Sequence, residues 1–282
     1  MLALTAQTPL AQLGVQFPPL GSLGAYTKSA LADIRDNLHA TYVRVGWYPG
    51  LAKRDKVPWQ REDVSMHRLC RAGLKVMAMT PTLREDKQGE EHLYANIEEF
   101  FRRYEEREPG CIVYAEFANE ADLPFNGFAN VEQYADFYET LAPIAARYGI
   151  KVVTTGTSGS DLPWTYSLAS LLAGASPRPP LDGFGFHPYG VPPSEMAGAI
   201  KAMRRVTAFF PGARRDDIYV TELGEKRADD LYTAIVNLAR ETPALTIFEY
   251  ARQPGDDPGY ALDDDPALYN AVIRAWKRVT NR

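Results

Sequence analysis

Short apolar runs alternate with longer amphipathic segments from one end of the chain to the other. The short runs are rich in Val, Ile, Phe, Tyr and Thr, a composition typical of buried β-strands. They cover residues 13–17, 41–47, 75–80, 111–118, 151–155, 181–187, 217–222 and 245–250. The pattern therefore predicts eight strands.

The longer segments repeat their apolar residues every three or four positions, as amphipathic helices do. They cover residues 28–38, 64–72, 95–106, 131–148, 195–210, 228–240 and 266–279, and a weaker pattern covers 164–173. Asp63 and Asn130 stand where helix N-caps belong, and Pro266 suits a first helical turn. A helix is therefore predicted after every strand.

Strict alternation of strand and helix implies parallel strands joined by right-handed crossovers. Eight such units in 282 residues match the size of a (β/α)8 barrel. We therefore expect the α/β class and a single-domain TIM barrel over residues 1–282. An open, doubly wound sheet is the alternative, but residues 18–24 after the first strand lack the glycine fingerprint of a nucleotide-binding turn.

Charge and cysteine content narrow the possible partners. The net charge of −5 argues against nucleic acid or a membrane as partner, because binding phosphates needs a clustered basic surface. Cys70 and Cys111 form no CxxC motif and have no run of nearby histidines, so they indicate neither a disulfide framework nor a zinc site. We expect both to be small, buried apolar side chains.

The N-terminal residues 1–6 contain no basic residue and no long apolar stretch, so no secretory leader is visible. No segment approaches the length of a membrane span. We expect a soluble protein that is either cytoplasmic or secreted after removal of a leader. The oligomeric state is left open.

Polar residues collect at the C-terminal ends of the predicted strands, where barrels of this kind build their active sites. They are Arg44, Asn119, Glu120, His187, Tyr189 and Glu222. A carboxylate is costly at the end of a buried strand unless a partner or a reaction uses it. Two carboxyls about 5 Å apart suit a retaining glycosidase, whereas a gap of about 6.5–9.5 Å suits an inverting one. A helix cap or an ion pair is the simpler alternative for each glutamate.

These residues resemble the motifs of the retaining glycoside hydrolases of clan A, most closely those of families 5 and 39. Residues 116–120 resemble the Glu-x-x-Asn-Glu run of strand four, and residues 220–224 resemble the nucleophile segment of strand seven. Residues 187–189 are similar to the His-x-Tyr of strand six, and Arg44 to the arginine of strand two. The resemblance covers nearly the whole chain.

The resemblance implies a glycosidase or endo-glycanase that hydrolyses a β-linked glycoside or polysaccharide by double displacement. In that mechanism Glu222 attacks the anomeric carbon, Glu120 acts as acid and then as base, and Asn119 binds the sugar 2-hydroxyl. No metal and no organic cofactor is needed, and the partner is a carbohydrate substrate. Arg44 and Tyr189 would orient Glu222, and His187 would contact the substrate.

Several of these residues have structural alternatives. Arg44 could instead pair with Glu116, which the strand alternation places inside the barrel as a buried, non-catalytic group. His187 could simply bond the backbone, and Tyr189 could brace a turn. The residues that surround the reacting sugar also depart from the cellulase-like pattern, since residues 77–82 lack its histidine and residues 248–250 lack its tryptophan.

Aromatic residues near the strand ends suggest contacts to sugar, because sugar rings have apolar faces that stack on aromatic side chains. We predict such contacts for Trp47, Trp164 and Tyr250, with core packing as the alternative for each.

Two other classes of function compete with the hydrolase. One is a non-catalytic carbohydrate-binding barrel, and the other is a metal-dependent hydrolase, for which only His187 of the four histidines is well placed.

Overall fold

The computed structural model describes residues 9–47, 59–85, 89–211, 218–252 and 259–281. Eight parallel strands pair in sequence order into a closed barrel, and the first strand pairs with the last. They are β1 (Gln12–Gln16), β2 (Tyr42–Gly46), β3 (Lys75–Met79), β4 (Ile112–Glu116), β5 (Lys151–Ser158), β6 (Gly183–His187), β7 (Ile218–Leu223) and β8 (Ala244–Ile247). The predicted barrel is confirmed, and the doubly wound alternative is wrong because the sheet closes.

A helix follows each strand, as predicted. The helices are α1 (Lys28–Ala32), α2 (Trp59–Arg71), α3 (Glu90–Arg107), α4 (Val131–Ala146), α5 (Leu162–Gly174), α6 (Met196–Thr207), α7 (Ala228–Leu238) and α8 (Pro266–Thr280), and α1 continues as a π-helical turn over Asp33–Asn37. Among the described residues, no helix is both long and apolar enough to cross a bilayer.

The two predicted N-caps differ in outcome. The Asn130 side chain accepts a hydrogen bond from the backbone N–H of Gln133 at 2.9 Å and so caps α4. Asp63 is not a cap, because α2 begins before it. Its carboxylate instead forms ion pairs with Arg103 and Arg107 of α3.

The barrel interior is apolar near the N-terminal strand ends and charged above. The apolar layer consists of Tyr42, Met77, Tyr114, Val153, Tyr219 and Ala244. Gly14 provides space for the Tyr42 ring, since a Cβ at Gly14 would lie 2.3 Å from it. Arg44 and Glu116 follow Tyr42 and Tyr114 by two residues and therefore point into the same interior, one layer closer to the mouth.

The sequence-based expectation for the cysteines is wrong. Cys70, near the end of α2, and Cys111, just before β4, form a disulfide with an S–S distance of 2.04 Å. They are 41 positions apart and belong to no motif. The fold brings them together because β3, which α2 leads into, pairs with β4.

Candidate active site

Glu120 reaches the barrel mouth through an unusual backbone. After β4 the chain passes through Ala118 and Glu120 with φ angles of 66° and 44°, in the left-handed region that non-glycine residues seldom adopt. Surrounding hydrogen bonds hold this path. The Ala118 N–H donates to Thr80 Oγ1 at 3.0 Å, and Asn126 Nδ2 donates to the carbonyl of Glu120 at 3.0 Å.

Glu222, in β7, receives a hydrogen bond on each carboxylate oxygen. Arg44 Nη1 donates to Oε2 at 2.8 Å, and the Tyr189 hydroxyl donates to Oε1 at 2.7 Å. Burial and the charge of Glu222 raise the pKa of Tyr189, so the phenol remains a donor. Gly224 makes room for it, because a Cβ there would lie 3.0 Å from the Tyr189 hydroxyl oxygen. These contacts suit a carboxylate that stays ionised.

Arg44 contacts four other side chains of the site and is only 1% exposed. Its guanidinium donates to Glu116 Oε2 at 2.5 Å, to Gln16 Oε1 at 2.8 Å and to Asn119 Oδ1 at 2.7 Å, in addition to Glu222. Burial lowers the pKa of Arg44, but the two carboxylates outweigh burial and raise it. Arg44 therefore pairs with Glu116, as in the structural alternative, and also contacts Glu222.

His187, at the end of β6, has acceptors at both ring nitrogens. Nδ1 lies 3.0 Å from Glu120 Oε1, and Nε2 lies 3.0 Å from Thr221 Oγ1 and 3.7 Å from Glu116 Oε1. Only glycine fits at position 156 of β5, because a Cβ on Gly156 would lie 2.2 Å from Nε2. The ring is thus enclosed on several sides.

The charges around His187 determine its protonation. Burial lowers its pKa, but the charge of Glu222 and the hydrogen bonds to Glu116 and Glu120 raise the pKa to about 9. Burial likewise raises the pKa of Glu116, while Arg44 and His187 lower it to about 2. At neutral pH the barrel mouth therefore holds two cations, Arg44 and His187, beside the carboxylate of Glu116.

The two candidate catalytic carboxylates lie close together. One ligand-type atom from each of Glu120, His187 and Glu222 lies within 4.8 Å of the other two. Three such atoms could hold a metal ion, but both nitrogens of His187 are already hydrogen-bonded and the Arg44 cation contacts Glu222. A divalent cation would meet these two positive groups, so the arrangement favours paired carboxylate chemistry over metal binding.

The structure does not bring the three predicted sugar-stacking aromatics to the glutamate pair. Trp47 is 1% exposed and stacks on Phe100, with ring centroids 4.0 Å apart, so its ring is part of the core. Trp164 is partly buried against Tyr134 in the outer layer. The Tyr250 hydroxyl bonds Asp33 beside α1 instead of facing the mouth. Core packing, the alternative for each, describes the contacts of Trp164 and Tyr250, whereas Trp47 packs on Phe100 and also lines a pocket that it shares with Asn119.

Three residues of the site were not foreseen from the sequence. Gln16 accepts a hydrogen bond from Arg44, and it could have been found in the sequence as a polar residue at an inward-pointing position of β1. Thr221 holds His187, and it directly precedes Glu222. Asp122 accepts from the Ser158 N–H at 3.0 Å, and burial raises its pKa to about 6. Only its position two residues after Glu120 could have drawn attention to it.

No protein-family model matches the chain, and neither does any curated protein. Among solved structures it is similar to a glucosidase from Croceicoccus marinus, at 15% identity and a TM-score of 0.77 over 96% of this chain and 67% of that one. A GH39 beta-xylosidase from Caulobacter crescentus matches at 16% identity and a TM-score of 0.71, over 95% of this chain and 72% of that one. The chain has the fold of these glycoside hydrolases.

A third similar structure is more nearly equal in length. The GH128 (subgroup II) endo-beta-1,3-glucanase from Pseudomonas viridiflava matches at 14% identity and a TM-score of 0.59, over 93% of this chain and 96% of that one. The resemblance noted in the sequence is therefore confirmed at the level of the fold. The reaction has to be argued from the site.

Proposed function

We propose that this protein is a retaining glycoside hydrolase that cleaves a β-linked glycoside or polysaccharide. The observation that carries the proposal is the separation of Glu120 and Glu222, whose closest carboxylate oxygens lie within 4.8 Å. Carboxylate oxygens this close support a retaining mechanism, which has about 5–5.5 Å between the carboxyls, over an inverting one, which has about 6.5–9.5 Å.

The different partners of the two glutamates support different roles. Glu222 is held as an anion by Arg44 and Tyr189 and is the nucleophile. In the first step it forms a bond to the anomeric carbon while the glycosidic C–O bond breaks, and Glu120 gives its proton to the departing oxygen. His187, whose Nδ1 lies 3.0 Å from Glu120 Oε1, stabilises the carboxylate that this transfer creates.

In the second step Glu120 acts as base. It takes a proton from water, whose oxygen bonds to the anomeric carbon while the ester bond to Glu222 breaks. The sugar leaves with its original anomeric configuration, and both glutamates return to their starting states. Asn119, fixed through its Oδ1 by Arg44, is positioned to bind a sugar hydroxyl with Nδ2.

The proposed substrate class rests on the similar structures together with the site. The beta-xylosidase and the endo-beta-1,3-glucanase carry β-linked substrates in their names, and their fold is shared. We therefore propose a β-linked sugar polymer or oligomer as the carbohydrate partner.

The test is covalent labelling with 2-deoxy-2-fluoro glycosides of β-xylose, β-glucose and β-galactose that carry a dinitrophenyl leaving group. We expect intact-protein mass spectrometry to show one glycosyl adduct, and peptide mapping to place it on Glu222. The Glu222→Gln variant should form no adduct. Labelling at another residue would overturn the assignment of the nucleophile.

The same experiment separates the hydrolase from a non-catalytic carbohydrate-binding barrel. Such a barrel would bind oligosaccharides but form no adduct and release no product. The hydrogen bonds that orient both glutamates favour the hydrolase, because a binding site has no need to hold two carboxylates in distinct environments.

A further inference from the structure

A pocket of about 430 Å³ opens beside the glutamate pair, where the chain leaves β2, β3 and β4. Its volume is in the range of small-molecule binding sites. Asn119, Phe125 and Asn126, from the chain after β4, line it. Thr82 and Glu85, from the loop after β3, line it as well.

Asn119 joins this pocket to the reacting centre. Its Oδ1 accepts from Arg44 at 2.7 Å, which orients the amide, and it directly precedes Glu120 in the chain. Within the part of the chain that the structure describes, the Asn119 Nδ2 group donates to no protein acceptor. A molecule bound between the glutamates and extending past Asn119 would therefore enter the pocket and meet an available donor.

Phe125 projects from the pocket wall into solvent and is 61% exposed. Covering this apolar ring with a ligand would be favourable, because it would remove the ring from water. Large exposed apolar side chains are few among the described residues, and two others, Tyr166 and Phe209, cover each other with ring centroids 5.2 Å apart. Phe125 has no such ring partner in the described ranges.

The turn that carries Phe125 is fixed in place. Arg84 Nη1, from the loop after β3, donates to the carbonyl of Phe125. Gly127 follows with a φ angle of 95°, and a Cβ there would lie 2.7 Å from the Cβ of Arg84, so the two loops touch. Asn126 Nδ2 bonds the carbonyl of Glu120 at 3.0 Å. The backbone of Phe125 is therefore tied to the loop after β3 and to Glu120, the candidate acid and base.

The pocket lining also offers polar groups. The Thr82 N–H donates to Glu85 Oε2 at 2.6 Å, and this hydrogen bond orients the carboxylate. An exposed aromatic ring in one pocket with carboxylate and amide groups is a combination that suits a sugar ring, whose faces are apolar and whose edge carries hydroxyls.

We propose that this pocket is a carbohydrate subsite in which a second sugar ring of the substrate stacks on Phe125. The inference rests on the proposed function and adds that the substrate has at least two sugar units. The ring in the pocket is either the neighbour of the reacting sugar in a chain or a branch on it, and both present the same stacking face.

The experiment compares a substrate that reaches the pocket with one that does not. Glycosyl fluorides of β-xylose, β-glucose and β-galactose occupy only the reacting position, whereas xylohexaose, cellohexaose and laminarihexaose extend beyond it. We expect Phe125→Ala to lower the ratio of kcat/KM for the hexaose to kcat/KM for the fluoride by about five- to tenfold, the effect of one stacked ring. Phe209→Ala, which removes an exposed phenyl ring from the far side, should leave that ratio unchanged.

The possible outcomes distinguish failure of the subsite proposal from failure of the proposed function. If wild-type protein hydrolyses both substrates and Phe125→Ala leaves the ratio unchanged, the subsite is overturned and the proposed function stands. Hydrolysis of a fluoride but of no hexaose also overturns the subsite. If no sugar is turned over, the proposed function fails, and calorimetric titration with the three hexaoses then decides the subsite. Weaker binding by Phe125→Ala would support it, and equal or absent binding would overturn it.

Discussion

His187 lies among charges contributed by three strands and the loops that follow them. Glu116 and Glu120 face it from β4 and its loop, Glu222 from β7, and the Arg44 guanidinium from β2. An imidazolium can donate from both nitrogens, whereas a neutral ring donates from only one. Because acceptors face both nitrogens, the surroundings stabilise the charged form.

This protonation can be observed directly, since the chain has only four histidines. We expect one Cε1–H resonance in a ¹H–¹³C NMR titration to change with a midpoint near pH 9, and to be missing in a His187→Asn variant. Glu116→Gln removes a negative charge beside the ring and should lower that midpoint. A His187 midpoint at or below 6.5 in the wild-type protein would contradict the charge arrangement.

The same pKa shift predicts how stability depends on pH. The pKa of His187 rises from 6.5 to about 9 on folding, so its contribution is fully present below pH 6.5 and is lost as pH rises through about 9. We expect the free energy of unfolding in urea to fall between pH 7 and pH 10, and to fall less in His187→Asn. Equal slopes in the two proteins would contradict this account.

A single substitution, Glu120→Ala, tests whether Glu120 is the general acid. Loss of a general acid typically costs about 10²- to 10⁴-fold in rate. A dinitrophenyl leaving group needs no protonation, so the loss in kcat/KM should be much smaller for an activated aryl glycoside than for an oligosaccharide. Azide should restore turnover by replacing water in the second step. An equal loss on both substrates would show that Glu120 is not the acid.

At the scale of elements, the site depends on how closely the strands approach one another. Gly156 in β5 lies against the His187 ring of β6 and against Thr221 of β7. A side chain there would push β6 and β7 apart at the level of the glutamate pair. Inward-pointing polar groups therefore need small neighbours on adjacent strands.

Gly156→Ala should destabilise the fold by about 1–3 kcal/mol, the usual cost of overpacking, and should lower kcat. Gly198→Ala is the matched control, because that glycine lies in α6 and an added Cβ would contact nothing within 4 Å. The control should be neutral or gain up to about 1 kcal/mol from helix propensity. The measurements are urea denaturation and steady-state kinetics of both variants. Equal stabilities of Gly156→Ala and Gly198→Ala would contradict the prediction.

The direction in which a side chain points follows from strand alternation inside the strands but not in the loops after them. Glu116 was placed inside the barrel by parity and lies there, paired with Arg44. The same parity puts Trp47 on the outer side of β2, against Phe100 of α3, so proximity to a strand end was the weaker guide. Phe125 sits on the loop after β4, where no periodic pattern indicates which way a side chain points.

At the scale of the whole molecule, the disulfide closes a loop through α2, β3 and α3. Cross-linking residues 41 positions apart removes conformational freedom from the unfolded chain and is worth about 4 kcal/mol in the loop-entropy model. The bond lies near the N-terminal ends of the strands, away from the glutamates at their C-terminal ends.

Both cysteines of the chain are in this bond. Denatured, unreduced protein should therefore give no reaction with a thiol reagent, and two thiols should appear after reduction. The Cys70→Ser/Cys111→Ser variant should lose about 2–4 kcal/mol of unfolding free energy while keeping its kcat. Free thiols in the unreduced protein would contradict the pairing.

Sequence patterns were enough to predict the barrel and several of the polar residues at its mouth. Periodicity of apolar residues depends on local geometry, and the C-terminal ends of parallel strands necessarily share one face. The folded structure was needed to show that Arg44 contacts two carboxylates, that Cys70 meets Cys111, and that Trp47 packs on Phe100. Those facts depend on distances between residues far apart in sequence, which no local pattern encodes.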